Sequence, residues 1–391
     1  APLPAGRRVP PYASVFELAA AMPLPLPTAA GDGAALSRLF EIEVVGTHCA
    51  QPAGLAAKYG APASQPVVSI TNRATLEQTW YNQVRTLKPQ TFKSGEAEPE
   101  DPTAGGRGCD FCDARTLTAE DVFGRVERPT CMTASNLFKY CAPYHGLVVF
   151  KAHNPLEVEL RGVADLMSCA AEWFSRAAAA AGSRPVYPFL LWNCLARAGA
   201  SQYHGHAQLL ASHTPIPQVA RLDMVAQLWP RYYLDVLQAH RAAGLLCGCG
   251  EGADRAWAYV YLAPIKDMEI IIHARSLRSA GLHRLLHAAL RTLIDDLGAV
   301  TFNVGVLNIQ VEDGREGEAE VCRAIADGVD DAPPVVARIV SRGKLSSKAS
   351  DFGALEVFGG ASIGHTDPYG IMPLLLARLG PSNAIDPAAL L

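Results

Sequence analysis

The order of apolar and polar positions along the chain predicts the same set of elements twice. In the first copy, residues 145–153 (HGLVVFKAH) are predicted to form a buried strand, which is followed by a helix and by strands at 186–194 and 203–210. The helix is predicted from an apolar face at helical spacing, formed by Val163, Leu166, Met167, Ala170 and Phe174.

The second copy repeats this order further along the chain. Strands are predicted at 256–263 and 268–274, then a helix, then strands at 300–309 and 335–341. The apolar face of this helix is formed by Leu282, Leu285, Leu286, Ala289, Leu293 and Leu297. A repeated unit indicates duplication. We therefore predict an α/β (α+β) fold of two halves, each an antiparallel sheet with a helix, which merge into one larger sheet.

Polar and Gly/Pro-rich stretches divide the chain. Residues 1–35 are rich in Pro, Ala and Gly and are predicted to be an irregular arm, whereas 93–108 and 312–334 are predicted to be solvated surface loops without a chemical role. We expect an N-terminal arm and lead-in at 1–79. A first half at 80–220 and a second half at 221–391 follow it.

Composition excludes some classes of partner. The net charge of −4 provides no basic surface, so no nucleic-acid partner is expected, and an anionic substrate must be met by a few local cations. The sequence has no run of about 18 apolar residues, so no membrane partner is expected. Ten cysteines spread over 391 residues favour a reducing compartment, for which we expect the cytoplasm or else an organelle.

The stretch 199–208 (GASQYHGHAQ) carries the strongest chemical signal. On a strand, His204, His206 and Gln208 point to one face, where two imidazoles and an amide make a poor core and a good polar site. The alternative is a partly exposed strand face with satisfied histidines.

A second signal is the Cys-x-x-Cys pair formed by Cys109 and Cys112. Zinc binding, redox chemistry and two buried thiols are all compatible with this spacing. Because zinc requires four nitrogen or sulfur ligands, His153 and His204 are candidates to complete the set. Other histidines, such as His145 or His213, are competing candidates.

These motifs, in this order over residues 80–380, resemble the galactose-1-phosphate uridylyltransferase branch of the histidine-triad (HIT) superfamily, which includes plant-type ADP-glucose phosphorylases. The run 204–208 (HGHAQ) is similar to the family's His-Pro/Ser-His-x-Gln, and the cysteine pair is similar to its zinc cysteines. Further matching segments are 85–89 (RTLKP), 135–137 (SNL), His153, Asn193 with 199–201 (GAS), 269–272 (EIII) and 353–356 (GALE).

The resemblance implies a duplicated HIT-like fold and roles for individual residues. It implies a structural zinc on Cys109, Cys112, His153 and His204, with His206 as the nucleophile and Gln208 as a phosphate contact. Ser201 joins His206 and Gln208 in the catalytic set. The substrate-binding set implied by the resemblance is Arg85, Lys88, Asn136, Asn193, Gly199, Ala200 and Glu356, in which Arg85 and Lys88, like Ser201, face phosphates.

Two positions depart from the family's pattern. Gly205 stands where the family usually has Pro or Ser, which is expected to loosen the strand locally. Arg338 precedes Ile339 and Val340 where the family usually has a histidine, so part of the sugar-phosphate pocket, and any second metal site there, departs from the family. The second half is therefore expected to be a degenerate copy.

The expected function is nucleotidyl transfer or phosphorolysis through a covalent histidine. A nucleoside monophosphate would pass from a nucleotide sugar to His206 and on to phosphate or a sugar phosphate, since a neutral imidazole is nucleophilic near pH 7. The resemblance also implies a homodimer. The alternatives are a zinc-stabilised scaffold or assembly subunit that has lost catalysis, and a nucleotide hydrolase in which water is the acceptor.

Overall fold

A computed structural model of the chain describes residues 11–22, 32–50, 52–59, 64–87, 101–311, 333–345, 347, 350–380 and 384–385. Within these residues the strands are β1 Phe40–His48, β2 Ser64–Asn72, β3 Gln78–Tyr81, β4 Cys131–Ser135, β5 Pro143–Phe150, β6 Tyr187–Cys194, β7 His206–Ser212, β8 Leu246–Cys249, β9 Ala256–Val260, β10 Ile270–Ala274, β11 Phe302–Leu307, β12 Val335–Ser341, β13 Ala361–Gly364 and β14 Ala384–Ile385.

The helices pack around two sheets. They are α1 Val15–Ala21, α2 Asp32–Leu39, α3 Ala53–Tyr59, α4 Ala114–Leu117, α5 Leu160–Ala181, α6 Pro217–Leu228, α7 Tyr232–Ala242, α8 Ala280–Arg291 and α9 Pro368–Leu379, with short 3₁₀ turns at Gln83–Leu87, Asp110–Asp113, Ala196–Ala198 and Gly252–Asp254 and π-helical turns at Thr292–Asp296 and Leu355–Gly359. None of the helices described is long and apolar enough to cross a membrane.

The larger sheet contains both predicted halves. Its ten strands follow the order β14-β8-β9-β10-β12-β11-β6-β7-β5-β4, and β6 pairs with β11 in an antiparallel arrangement at the junction. On one side of the junction lie β7, β5 and β4, and on the other side lie β12, β10 and β9 in the matching order. The predicted duplicated fold with one merged sheet is confirmed.

The two long helices cover one face of this sheet, as their apolar faces predict. The predicted apolar residues of α5 are buried, and so are those of the second helix from Leu282 to Leu293, whereas Leu297 is only half-buried. The contact between α5 and β5 is close at Gly146, where an added Cβ atom would lie 2.6 Å from the ring of Trp173. Because the helix packs closely on this face of the sheet, a site on β5, β6 and β7 can lie only on the opposite face.

The smaller sheet covers part of the opposite face of the second half. It has the order β1-β2-β3-β13, in which β1, β2 and β3 are antiparallel and β13 is parallel to β3. Tyr261 joins the two sheets, because its hydroxyl accepts a hydrogen bond from Asn72 (2.9 Å) and donates one to Glu77 (2.7 Å).

The N-terminal stretch differs from the prediction. Part of the segment expected to be irregular is helix α1, whose N-cap residue Ser14 accepts a hydrogen bond from the main-chain N–H of Glu17. Val15 and Leu18 are buried, so tertiary packing stabilises this short helix. Most of the second predicted loop, 312–332, lies outside the described residues, and the division at 79/80 and 220/221 stays a prediction.

Candidate active site and metal centre

Two cysteines and two histidines from distant parts of the chain meet at one end of β5 and β7. Cys109 directly precedes the 3₁₀ turn Asp110–Asp113, Cys112 lies within it, His153 follows β5, and His204 precedes β7. Their potential ligand atoms all lie within 4.8 Å of one another, so the four residues could hold a metal ion. The remaining candidates lie elsewhere: His145 is in the middle of the sheet, and His213 contacts the carbonyl of Pro185.

The distances suit a tetrahedral ion. Nδ1 of His153 lies 3.2 Å from Nδ1 of His204, and the sulfur of Cys112 lies 3.3 Å and 3.6 Å from these two nitrogens. The sulfur of Cys109 lies 3.4 Å from Nδ1 of His204. Four-coordinate zinc with bonds of about 2.0–2.3 Å places neighbouring ligand atoms about 3.3–3.8 Å apart. The four donors therefore fit such an ion.

The outer nitrogen of each metal-site histidine has a hydrogen-bond partner. Nε2 of His204 donates to the carbonyl oxygen of Phe150 (2.6 Å), while Nε2 of His153 lies 3.1 Å from a carboxylate oxygen of Asp101 and 3.1 Å from the hydroxyl of Thr103. Such partners place the proton on Nε2 and leave Nδ1 free to bind a metal.

Asp101 belongs to the loop 93–108, for which no chemical role was expected from the sequence. Hydrogen bonds from Thr103, and then from Gly105, hold the pKa of Asp101 well below its usual range. The described part of this loop therefore contacts a candidate metal ligand, which the sequence did not predict. This contact has little signature in the sequence, because the loop reaches His153 only through tertiary structure.

The backbone conformation and close packing of Gly106 explain why a glycine stands near the cysteine pair. Its φ angle is +89°, and an added Cβ atom would lie 2.8 Å from the sulfur of Cys112 and 3.4 Å from Nδ1 of His153. Only glycine permits both this backbone conformation and this approach.

His206 is the first residue of β7 and is buried. Its Nδ1 lies 2.9 Å from the main-chain oxygen of His204, so Nδ1 carries a proton and Nε2 keeps its lone pair. Burial lowers the pKa of His206, which favours the neutral imidazole. Within the described residues no group hydrogen-bonds to Nε2, so this nitrogen is available to a ligand.

The strand starts later than predicted, so His204 lies outside it. His204 and His206 still lie on the same side, because the ring of Phe111 contacts both edge-on, with centroid distances of 5.9 Å and 5.2 Å. At Gly205 between them, an added Cβ atom would lie 3.2 Å from the ring of Phe150 and 3.3 Å from Pro155. Close packing thus favours glycine at this position.

The Gly199-Ala200-Ser201 turn precedes β7, as predicted. Gly199 has a φ angle of +93°, and Ser201 is exposed. Asn193, at the end of β6, accepts a hydrogen bond from Asn303 of β11 at 2.7 Å, and the same Asn303 amide donates to the carbonyl of Ala198 at 2.8 Å. The turn is therefore attached to the second half across the junction of the two halves.

Asn303 was not predicted as a site residue. Arg342 donates to its Oδ1 at 2.8 Å and forms a bidentate ion pair with Asp351 (2.6 Å and 3.0 Å). The chain of contacts from Asp351 to Asn193 has no sequence signature, because each link joins separate elements.

Gln208, from the predicted catalytic set, and Asn136, from the predicted substrate-binding set, both lie next to His145. Nε2 of His145 lies 3.0 Å from Oε1 of Gln208 and 3.0 Å from Nδ2 of Asn136. The hydroxyl of Tyr140 donates to the same Oε1 of Gln208 at 2.8 Å. Sequence reasoning did not connect Tyr140 or His145 with this site.

The other predicted substrate contacts are not joined to this group. Arg85 lies in the 3₁₀ turn after β3, and its buried Nε has no partner within the described part of the chain. Glu356 accepts a hydrogen bond from the N–H of Gly353 at 2.8 Å and lies near Lys266. Lys88 lies outside the described residues.

The second half has an ion triad on β12, the strand that corresponds to β7 in the order of the sheet. Arg338 of β12 pairs with Ile271 of β10, just as His206 of β7 pairs with Val149 of β5. Its guanidinium contacts Glu269 and, from the smaller sheet, Glu77, each at 2.6 Å. The segment just before β3 of the smaller sheet therefore supplies one of the two carboxylates of this triad.

The comparisons with known proteins agree with this architecture. No protein-family model and no curated protein matches the sequence. The solved structures that are similar to this chain include an ADP-glucose phosphorylase from Arabidopsis thaliana with bound ADP-glucose (TM-score 0.58, 16% identity, 79% of this chain and 98% of the other), a GalT-like protein from Arabidopsis thaliana (0.54, 17%, 79% and 98%) and a uridylyltransferase (0.52, 13%, 79% and 97%).

The class defined by this fold is thus a duplicated HIT-like α+β protein. More particularly, the chain has the fold of the ADP-glucose phosphorylase and uridylyltransferase structures, which confirms the resemblance at the level of the fold.

Proposed function

We propose that this protein is a nucleotidyltransferase or phosphorylase that transfers a nucleoside monophosphate from a nucleotide sugar to phosphate or a sugar phosphate. The observation that carries the proposal is the state of His206. Its Nδ1 is held by the main chain of His204, and its Nε2 has no partner among the described residues. A buried, neutral imidazole with one free nitrogen is a nucleophile rather than a structural histidine.

The transfer takes two balanced displacements. The lone pair of His206 Nε2 attacks the phosphorus of the nucleoside monophosphate group, an N–P bond forms, and the P–O bond to the sugar phosphate breaks with its electron pair on the leaving oxygen. An oxygen of the acceptor phosphate then attacks the same phosphorus, and the N–P electron pair returns to Nε2. A single nucleophile thus serves two acceptors in one pocket.

The surrounding residues supply donors rather than further covalent chemistry. Gln208 lies two residues further along the strand, and the turn with Ser201 precedes it, so both flank the nucleophile. We propose that they contact the transferred phosphoryl group and that Asn136 and Asn193 contact the nucleotide. Arg85 and Lys88 are proposed to face phosphates, with Gly199, Ala200 and Glu356 completing the substrate contacts.

The metal proposed for Cys109, Cys112, His153 and His204 is zinc. All four positions of a tetrahedral ion would be filled by protein, so its role is structural: it holds the loop, the end of β5 and the start of β7 together. Because the carbonyl of His204 accepts the hydrogen bond of His206, a fixed His204 also fixes the nucleophile.

The test is detection of the covalent intermediate. Protein containing zinc is incubated with ADP-glucose or UDP-glucose that carries the label in the nucleoside phosphate, and acid-labile, base-stable label on the protein is measured. We expect label on the wild type and none on His206→Gly, and release of the label by phosphate or by a sugar phosphate. Absence of label and of transfer with every nucleotide sugar would overturn the proposal.

The same experiment separates the alternatives. A hydrolase would lose the label to water as fast as to phosphate, and a scaffold would never acquire it. Among the described residues, neither Nε2 of His206 nor the amide nitrogen of Gln208 has a hydrogen-bond partner, which argues against a scaffold, since a purely structural site would satisfy both groups.

A further inference from the structure

Tyr140 and His145 have no role in the two displacements, and both contact the side chain of Gln208. His145 is fully buried in β5, whereas Tyr140 lies in the exposed connection between β4 and β5. The rings of the two residues contact each other at a centroid distance of 4.3 Å. Both direct a hydrogen-bonding group at one atom, Oε1 of Gln208, at 2.8 Å and 3.0 Å.

Two contacts at the same oxygen fix the orientation of the amide. The tyrosine hydroxyl and a protonated imidazole nitrogen are donors, so the atom that they share must be the carbonyl oxygen of the amide. The NH₂ group of Gln208 then points away from both residues. It has no hydrogen-bond partner in the described part of the chain, so its two N–H groups are left for a ligand.

The contacts of His145 also select its tautomer. The main-chain N–H of Tyr140 lies 3.4 Å from Nδ1, which makes Nδ1 the acceptor and places the proton on Nε2. Nε2–H can then donate to Gln208 but cannot accept from Asn136, whose Nδ2 lies 3.0 Å away. In the opposite tautomer, Nε2 would accept from Asn136 but could not donate to Gln208. The N–H on Nδ1 would then face the main-chain N–H of Tyr140.

We propose that Tyr140 and His145 are positioning residues that hold the N–H end of Gln208 toward the transferred phosphoryl group. This inference rests on the proposed function. Phosphoryl oxygens only accept hydrogen bonds, so the reversed amide would direct an oxygen at an anion, whereas the observed one donates to it. In the same tautomer, Nε2 of His145 does not accept from Asn136, so the N–H groups of Asn136 are not used by His145.

A double-mutant cycle tests the positioning role. Tyr140→Phe removes one donor from an exposed side chain, and we expect kcat to fall about tenfold, the size of one net hydrogen bond, while KM changes less. In a Gln208→Ala background, Tyr140→Phe should have no further effect, because the group it positions is gone. Tyr187→Phe, on the exposed end of β6, is the matched control and should leave kcat unchanged.

Equal effects of Tyr140→Phe with and without Gln208 would overturn the inference while leaving the proposed function intact. Full activity of Tyr140→Phe would do the same. A wild type that transfers nothing would overturn both.

A second measurement does not depend on activity. The nitrogen NMR spectrum of the imidazoles should show His145 protonated on Nε2 and His206 protonated on Nδ1, which are opposite tautomers in one protein. A spectrum with His145 protonated on Nδ1 would remove the donor to Gln208, and the inference would then be wrong even in an active enzyme.

Discussion

Nδ1 of His206 lies 2.9 Å from the main-chain oxygen of His204, so a hydrogen bond joins the proposed nucleophile to a residue of the metal centre. The side chain of His204 faces the two cysteines, and its carbonyl faces the imidazole two residues later. The proposed metal ligand and the proposed nucleophile are therefore separate in their side chains and connected through two residues of backbone.

This separation predicts different phenotypes for the two histidines. His206→Gly should reduce transfer by at least about a thousandfold, as expected for loss of a nucleophile, and retain the metal and the melting temperature. His204→Ala removes a proposed metal ligand and should also lower the Tm by about 4 °C, as a loss of about 3 kcal/mol would in a chain of this length. Enzyme assays, metal analysis and melting curves on both variants test this prediction. Loss of metal in His206→Gly but not in His204→Ala would mean that His206 is the metal ligand and His204 the nucleophile.

Gly106 allows a test of the metal centre that leaves its ligands in place. Gly106→Ala would place a Cβ atom 2.8 Å from the sulfur of Cys112 at a φ angle of +89°, so we expect loss of bound metal and of thermal stability. Gly108→Ala is the control, because an added Cβ atom there meets nothing within 4 Å. Metal content by mass spectrometry after dialysis is the readout, and equal metal content in the two variants would contradict the geometry.

Asn303 should affect transfer although it lies in the other half of the chain. Asn303→Asp replaces its NH₂ group by an oxygen that faces Oδ1 of Asn193 and the carbonyl of Ala198, so we expect the turn before β7 to shift and transfer to fall about tenfold or more. Asn308→Asp is the control. Asn308 lies just beyond the other end of β11, and the substitution removes the amide group that donates to Tyr233, so it should lower stability without changing transfer. Steady-state kinetics of both variants test this, and unchanged transfer in Asn303→Asp would exclude the coupling.

Stability should decrease in mildly acidic solution because of buried histidines. Burial lowers the pKa of His240 and of His273 to about 3. In the unfolded chain a histidine has a pKa of about 6.5, so between these values only the unfolded chain binds the protons. The free energy of unfolding is therefore highest above pH 6.5 and falls with decreasing pH, by about 1.4 kcal/mol per pH unit for each histidine.

The contribution of one histidine can be isolated. His240→Gln keeps an acceptor for the N–H of Leu262 and removes the titrating group, so its stability should depend less steeply on pH than that of the wild type. Urea unfolding at pH 7.5, 6.0 and 5.0 measures both slopes. Identical slopes would show that His240 does not titrate on unfolding.

Dimerisation stays a prediction from the family resemblance. We expect the mass of a homodimer by light scattering at micromolar concentration, in line with the prevalence of two-fold assemblies. A monomer mass under these conditions would remove it.

The sequence by itself determined the repeated elements and the positions of the candidate site residues. Apolar periodicity is a local property, so α5, α8 and the strands of both halves could be located from residues a few positions apart. The Cys-x-x-Cys pair limited the metal to few chemistries, and the closely spaced His204, His206 and Gln208 indicated the nucleophile and its neighbours.

Only the tertiary structure decided what holds these residues in place. Asp101 meets His153 across 52 positions, Asn303 meets Asn193 across 110, and Arg338 meets Glu77 across 261. Polar side chains of this kind look like ordinary surface residues in a sequence, because their pairing depends on which strands the fold makes neighbours. The orientation of Gln208 follows the same rule, since donors from two other segments fix its amide and no spacing along the chain encodes their meeting.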